Sequence, residues 1–273
     1  MTETIVITGA SDGVGAAAAR QLAGDGHRLV LVGRSPEKTR AVAESVGAEH
    51  HLADFTRLDD VRSLAEALRR DCGRIDVLAH NAGGVFSGPS ATPDGFEKTF
   101  QVNHLAPFLL TRRLQDRLLD SRARVVATSS IGARVFSRLD LDDIQTWERF
   151  TANRAYGNAK LANILFVREL HDRFHAEGLS AVAFHPGFVA TNFASDTSSW
   201  FRLAYRSALR RMFSTPEEGG RRLARLITGT PGRTWSSGEY CGSDLQIART
   251  AVAGHDPEVA RRHWELSEQL LAG

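Results

Sequence analysis

The sequence predicts an α/β fold: a single doubly wound domain whose parallel sheet of about seven strands carries helices on both faces. Two observations predict it. Short apolar, β-branched segments alternate with helical patterns along the chain, as in βαβ units around a parallel sheet. The strand segments are also apolar on both sides, as expected of strands buried on both faces. Because no linker or repeat divides the 273 residues, we expect one domain over 1–273.

The elements follow from local patterns. The predicted strands are Thr4–Thr8, Arg28–Val32, Glu49–Leu52, Ile75–His80, Arg124–Thr128, Ser180–His185 and Gly238–Cys241. Helical patterns cover Val14–Ala23, Leu58–Arg70, Pro93–Leu119, Arg154–Phe174 and Glu217–Thr228. Two further helices have clear starts, since Ser35 and Asp256 are good N-caps and each precedes a proline.

Composition excludes several classes of protein. With 42% hydrophobic residues and a net charge of +2, the chain is neither disordered nor basic enough to indicate nucleic acid or an anionic membrane. Cys72 and Cys241 form no metal-ligand spacing, and two cysteines suit a reducing compartment. No apolar run approaches 18 residues, and no signal-peptide pattern is present. We therefore expect a cytoplasmic protein without a membrane span or a metal site.

A glycine-rich turn after the first strand predicts a dinucleotide site. It reads Thr8-Gly9-Ala10-Ser11-Asp12-Gly13-Val14-Gly15 and leads into an alanine-rich helix. Glycines at such a turn let the backbone approach a pyrophosphate at the helix N-terminus. Glycine spacing alone is a weak signal and also fits a plain tight turn. The strand before it and the helix after it favour the dinucleotide.

The end of the second strand indicates which dinucleotide is bound. NAD enzymes usually place a carboxylate there for the ribose hydroxyl, but this chain reads Gly33-Arg34-Ser35. A guanidinium can instead hold a 2′-phosphate in bidentate fashion. Arg34 could also be an ordinary exposed arginine. The absent carboxylate is the stronger indication, and it favours NADP(H).

Tyr156 and Lys160 form the candidate catalytic pair. A spacing of four residues places them on one face of a helix, one turn apart. An ammonium group near the phenol favours the phenolate and brings a tyrosine toward use as a general acid or base. An ordinary surface pair is the alternative, but the neighbouring motifs argue against it.

Taken together, these segments resemble the short-chain dehydrogenase/reductase family, which has a Rossmann fold, along almost the whole chain. The segments that carry the resemblance are TGASDGVG, LADF, Asn81-Ala82-Gly83, VNHLAPF, ATSS, YGNAK and His185-Pro186-Gly187. The retinol-dehydrogenase-like branch is the most similar. Its signs are AYGNAKLANILFVREL, ARRHWELSEQLL and an insertion between Ser130 and Tyr156.

The resemblance implies the roles of the site residues. The catalytic set would be Asn103, Ser130, Tyr156 and Lys160. Tyr156 would exchange a proton with the substrate oxygen, Ser130 would hydrogen-bond that oxygen, and Asn103 would position a water for Lys160. Ser129 is the neighbouring alternative to Ser130. The cofactor would be held by Gly9, Ser11, Gly13, Val14, Gly15, Arg34, Asp54, Phe55, Asn81, Ala82, Gly83, Tyr156, Lys160, Pro186, Gly187, Val189 and Thr191.

A substrate loop is expected at about 188–216. It is rich in aromatic residues, which could shield an apolar substrate or simply pack on the core. The resemblance implies NADP(H)-dependent interconversion of a carbonyl and an alcohol on a bulky apolar substrate, chiefly as a reductase, and a possible homodimer. Two alternatives stay open: a biosynthetic tailoring step such as cyclisation or epimerisation, and a non-catalytic NADP(H)-binding sensor.

Overall fold

A computed structural model describes residues 2–187 and 214–272. Its seven strands form one parallel sheet in the order β3-β2-β1-β4-β5-β6-β7. They are β1 Thr4–Thr8, β2 Arg28–Gly33, β3 Glu49–Leu52, β4 Val77–His80, β5 Arg124–Thr128, β6 Ser180–Phe184 and β7 Tyr240–Cys241. The sheet reverses its direction of growth between β1 and β4. This confirms the predicted doubly wound fold, in which ligands bind at the carboxyl ends of the strands beside such a reversal.

The helices cover both faces of the sheet. They are α1 Gly13–Leu22, α2 Pro36–Val46, α3 Leu58–Asp71, α4 Lys98–Phe100, α5 Ala106–Arg113, α6 Gln115–Asp120, α7 Gly132–Val135, α8 Ala152–Phe174, α9 Pro216–Ile227 and α10 Pro257–Ala272. One buried apolar cluster includes α3, α5 and α8, and a second includes α1 and α9. A sheet covered in this way on both faces explains the continuous apolar strands.

The prediction of one helix over Pro93–Leu119 is wrong in two respects, its first residue and its continuity. Its first turn begins at Lys98, because the Glu97 carboxylate caps it by accepting the Phe100 N–H at 2.8 Å. A π-helical turn, Gln101–Leu105, separates α4 from α5, and Leu114 separates α5 from α6. Turns of this kind widen a helix locally and are common at functional sites.

The C-terminal helix α10 packs on the outer side of the sheet's helical layer. Trp264 is 2% exposed, and its ring lies 4.7 Å from the Phe108 ring of α5 and 5.9 Å from the Phe166 ring of α8. Ile144, from the insertion before α8, is also buried and packs with Phe100. The insertion and α10 therefore cover part of the outer surface of α5 and α8.

The described residues contain neither a membrane-spanning helix nor a metal-binding cluster. In residues 2–187 and 214–272 no helix is long and apolar enough to cross a membrane. The same ranges contain no group of three or more histidine, cysteine or acidic side chains that could hold a metal ion.

Candidate active site

The glycine turn after β1 is closed so tightly that side chains cannot enter it. Gly9 has a φ of +67°, and a Cβ there would lie 2.7 Å from the Ala82 Cα. A Cβ at Gly15 would lie 2.4 Å from the Gly9 carbonyl oxygen. Asp12 caps α1 and accepts the Gly13 N–H at 2.7 Å, while Val14 is buried. The result is a bare backbone at a helix N-terminus, which is what a phosphate group needs.

Asn81 joins this turn to the rest of the sheet. Its Nδ2 lies 3.2 Å from the carbonyl oxygens of both Thr8 and Gly9. The Thr8 hydroxyl accepts the N–H groups of Asn81 and Ala82, at 3.1 and 3.2 Å. Thr8 was not among the predicted residues, although a threonine at the end of β1 is a visible signal for it. These bonds fix the expected pyrophosphate turn against β4.

The end of β2 lies beside the glycine turn. A Cβ on Gly33 would lie 2.9 Å from the Ser11 Cβ, so the predicted 2′-phosphate residues share one corner. Arg34 is exposed, and its side chain has no hydrogen bond or ion pair with any residue in the described ranges. Lys38 was not among the predicted residues, and its Nζ lies 3.0 Å from Asp12 Oδ2. Its position one turn into α2 could have indicated a second cation at this corner.

Asp54 and Phe55 lie at the end of β3 and differ in exposure. The Asp54 Oδ1 accepts the backbone N–H of Thr56 at 3.0 Å and its hydroxyl at 2.9 Å, so the carboxylate has a fixed direction. The Phe55 side chain is 5% exposed and belongs to the core, and its carbonyl oxygen accepts from Gln101 at 3.1 Å. Phe55 could therefore meet a ligand only through its backbone.

Tyr156 and Lys160 lie near the start of α8, as the sequence predicted. The Lys160 Nζ is 5.6 Å from the centre of the Tyr156 ring and donates to the Thr128 carbonyl oxygen at 3.1 Å. Burial lowers the pKa of Lys160 to about 7. Burial also raises the pKa of Tyr156 above its ordinary value, and a hydrogen bond with Ser130 offsets only part of that rise. Burial of the two groups opposes the lowering of the tyrosine pKa expected from Lys160, and that effect of Lys160 stays a prediction.

Of the two neighbouring serines, only Ser130 faces Tyr156. Ser130 is half-buried, hydrogen-bonds Tyr156 and accepts the Gly132 N–H at 3.0 Å. Ser129 is 1% exposed, and its hydroxyl donates to the Lys160 carbonyl oxygen at 2.7 Å. Ser129 therefore ties α8 to β5, and the geometry favours Ser130 as the group that meets the substrate oxygen.

Asn103 is held rigidly beside Lys160. It lies in the π-helical turn, and its Nδ2 donates to the carbonyl oxygens of Gly84 and Thr99 at 2.9 and 2.8 Å. A Cβ on Gly83 would lie 2.4 Å from Asn103 Oδ1 and 3.1 Å from Lys160 Nζ, so the two side chains meet at this glycine. The structure thus brings all four predicted catalytic residues to the carboxyl ends of β4 and β5. The water expected at Asn103 stays a prediction.

The turn after β6 contains the last described part of the predicted cofactor site, Pro186 and Gly187. Gly187 has a φ of +101°, a backbone conformation that favours glycine. Val189, Thr191 and most of the predicted substrate loop lie outside the described residues.

This chain is similar to known proteins both in sequence and in fold. A family model described as short chain dehydrogenase matches residues 3–201. The chain is 39% identical over 273 residues to a Streptomyces sp. (strain C5) protein named "Putative daunorubicin C-13 ketoreductase DnrU", covering 97% of this chain and 91% of that one. It is 33% identical to human retinol dehydrogenase 13, covering 98% and 84%. A crystal structure of an uncharacterized protein from Mycobacterium paratuberculosis superposes with a TM-score of 0.79 at 31% identity, over 98% of this chain and 92% of that one.

Proposed function

The chain belongs to the short-chain dehydrogenase family, in its retinol-dehydrogenase-like branch, and from this we propose that it is an NADP(H)-dependent oxidoreductase that reduces a carbonyl to an alcohol on a bulky apolar substrate. One observation carries the proposal: Ser130 hydrogen-bonds Tyr156, and the Lys160 ammonium lies beside the same ring. Two hydroxyls and an amine converge on one point, which suits proton transfer to a carbonyl oxygen.

The described residues fit a nicotinamide dinucleotide. The glycine turn is a cradle that a Cβ would fill, and it lies at the N-terminus of α1. Gly9, Gly13 and Gly15 would hold the pyrophosphate, Asp54 the adenine, and Tyr156 and Lys160 the ribose next to the nicotinamide. When bound, the dinucleotide supplies or accepts the hydride.

Tyr156 would act as the proton donor during reduction. Because burial raises its pKa, the phenol is protonated at neutral pH and can give its proton to the substrate oxygen. Ser130 would donate a hydrogen bond to the same oxygen and stabilise the negative charge that develops on it. Lys160, with a pKa of about 7, would then return a proton to the phenolate.

The proposed preference for NADP(H) rests on the corner between β1 and β2. Arg34 is exposed there, Lys38 lies one turn further on, and no carboxylate stands at the end of β2 to repel a 2′-phosphate. Two acidic residues, Asp12 and Glu37, lie near the same corner, and the Lys38 ammonium pairs with Asp12. The proposed preference therefore depends on the Arg34 guanidinium and not on the net charge of the corner.

The proposed substrate class rests on the relatives. Their names describe a daunorubicin C-13 ketoreductase and retinol dehydrogenases, so they name a ketone and an alcohol as the reacting groups. We propose the same class for this chain and place its work in the cytoplasm, where the buried free cysteines Cys72 and Cys241 would stay reduced.

Self-association can be tested independently of catalysis. The outer surface of α5 and α8 is covered in part by α10, whose Trp264 packs against Phe108 and Phe166. We propose that this surface does not form a homodimer interface, and we expect a monomer in size-exclusion chromatography with light scattering. A stable dimer at low micromolar concentration would contradict this expectation.

The proposal is tested by NADPH consumption in the near ultraviolet with a panel of polycyclic ketones and apolar aldehydes. We expect turnover that is lost in Tyr156→Phe, although this variant still binds NADPH. Arg34→Ala should lower kcat/KM for NADPH by about tenfold or more, the loss of one charge-assisted contact, and leave NADH unchanged. The matched control is Arg40→Ala, an exposed arginine of α2 paired only with Glu44.

Turnover that survives in Tyr156→Phe would refute the proton donor. NADPH binding without turnover on any carbonyl would favour the sensor or a specialised reaction.

A further inference from the structure

One side chain joins the Pro186-Gly187 turn to Ser214. The family resemblance implies that this turn leads to Thr191 beside the nicotinamide carboxamide, so the turn is expected on the nicotinamide side of the cofactor. Arg222 of α9 is half-buried, and its Nη1 donates to the Pro186 carbonyl oxygen at 2.6 Å. The same nitrogen lies 3.0 Å from the hydroxyl of Ser214. Pro186 and Ser214 are 28 residues apart in the sequence, so this bridge is a tertiary contact that no local pattern predicts.

The bridge leaves no room for a side chain at Gly187. A Cβ on Gly187 would lie 2.3 Å from the Ser214 Oγ and 2.7 Å from the Arg222 Nη1. Burial, with a smaller contribution from the Arg222 guanidinium, lowers the pKa of the adjacent His185 to about 4. His185 is therefore neutral near pH 7 and does not repel the arginine. The hydrogen bond from Arg222 and the close packing of Ser214 hold the Pro186-Gly187 backbone in one conformation.

Arg222 is also connected rigidly to the phosphate-binding turn. Its helix, α9, packs on α1 through Gly220, where a Cβ would lie 2.5 Å from the Ala17 Cβ and 2.7 Å from the Ala18 nitrogen. Such a distance means that the two helix backbones are in direct contact. α1 begins at the glycine turn that would hold the pyrophosphate. Helix α9 contacts α1 at Gly220 and bonds the Pro186-Gly187 turn through Arg222, so α9 connects the two turns.

We propose that Arg222 is a positioning residue that sets the Pro186-Gly187 turn relative to the glycine turn, and through it the nicotinamide half of the dinucleotide relative to Tyr156. The proposal rests on the proposed function. It assigns Arg222 no contact with the reacting atoms. An arginine suits the task because its planar guanidinium presents several donors in a fixed geometry, whereas a lysine presents a single flexible ammonium.

The test compares two ligands that share one half. NADPH carries the nicotinamide, and adenosine 2′,5′-bisphosphate carries the adenosine and 2′-phosphate without it. Dissociation constants are measured by titration calorimetry for the full chain and for Arg222→Gln, Arg222→Lys and Arg225→Gln. Arg225 is the matched control, because it lies on the same helix, is exposed, and makes no side-chain hydrogen bond within the described residues.

We expect Arg222→Gln to weaken NADPH binding by about tenfold, the effect of one hydrogen bond to a charged group, and to leave adenosine 2′,5′-bisphosphate within about twofold. Arg222→Lys should recover only part of the loss, and Arg225→Gln should change neither ligand. Equal weakening of both ligands by Arg222→Gln would overturn the proposal, since it would show a general structural role. Unchanged NADPH binding would overturn it too. A wild-type chain that binds neither ligand would instead refute the proposed function.

Discussion

Ser129 and Ser130 are neighbours with different partners, so replacing each by alanine should separate folding from catalysis. The Ser129 hydroxyl is buried and donates to the Lys160 carbonyl oxygen at 2.7 Å. That carbonyl lies in the middle of α8 and keeps its helical hydrogen bond when the serine is lost. We therefore expect Ser129→Ala to lower the free energy of unfolding by about 1 kcal/mol, the net value of one hydrogen bond. For a chain of this size that is a fall in Tm of about 2–4 °C.

Ser130→Ala should differ from Ser129→Ala in its effect on turnover. The Gly132 N–H that Ser130 accepts belongs to a buried residue, so the loss of this hydrogen bond should lower the free energy of unfolding by a similar amount, about 1 kcal/mol. Its hydroxyl, however, would donate to the oxygen on which charge develops. Loss of one such donor typically lowers kcat by about 10²–10³, equivalent to about 3–4 kcal/mol in the transition state.

Both variants are measured by kcat for carbonyl reduction, by thermal unfolding, and by NADPH binding as a control for the cofactor site. The reasoning is refuted if Ser129→Ala loses turnover while its Tm is unchanged. It is also refuted if Ser130→Ala keeps full turnover, since the hydrogen bond between Ser130 and Tyr156 would then have no catalytic role.

Three further predictions follow from burial and close packing. Lys160→Met should raise Tm at pH 7 while turnover is lost. The pKa of Lys160 in the folded protein, about 7, lies below its ordinary value of 10.5, so burial penalises the ammonium at every pH below 10.5. An unchanged or lower Tm would contradict this prediction. Gly15→Ala should weaken dinucleotide binding by about tenfold or more. Its Cβ would lie 2.4 Å from the Gly9 carbonyl oxygen, so the turn would have to open. Gly73→Ala is the control and should leave binding unchanged, because a Cβ at Gly73 would have no neighbouring atom within 4 Å. Burial also lowers the pKa of three core histidines, His80, His104 and His263. These histidines take up protons near pH 6.5 only in the unfolded chain. The free energy of unfolding should therefore fall by about 1.4 kcal/mol per pH unit for each histidine below pH 6.5. Equal free energies of urea unfolding at about pH 7.5 and about pH 5.5 would refute this prediction.

The difference between what could and could not be predicted is clearest in the helix expected over Pro93–Leu119. Its apolar pattern indicated helix correctly, but the helix begins at Lys98, after the Glu97 cap and five residues later than expected, and a π-helical turn interrupts it. The cap depends on a buried carboxylate, and the Glu97 N–H is in turn bound by Gln145, 48 residues away. Such partners leave no periodic signal in a local window.

The site divides in the same way. The Tyr156–Lys160 pair and the glycine turn could be predicted from local requirements of helix geometry and backbone conformation, and the family resemblance added Asn103 and Ser130. Val189 and Thr191 were predicted as well but stay predictions, since they lie outside the described residues. The motif favoured Ser130 over Ser129, and the structure separates their partners: Ser129 bonds the Lys160 carbonyl oxygen, and Ser130 bonds Tyr156.

The sequence by itself determined the alternation of strands and helices and the glycine turn after β1, since each depends on neighbours within a few positions. It predicted the catalytic set from the spacing of Tyr156 and Lys160 and from the family resemblance. Only the tertiary structure decided the rest: the raised pKa of Tyr156, the lowered pKa of Lys160, the separate partners of the two serines, and the bridge from Arg222 to Pro186 and Ser214. The physical reason is that desolvation and hydrogen bonding depend on every element packed around a group. Those elements come from distant parts of the chain, and they meet only when the sheet and its two helical layers assemble.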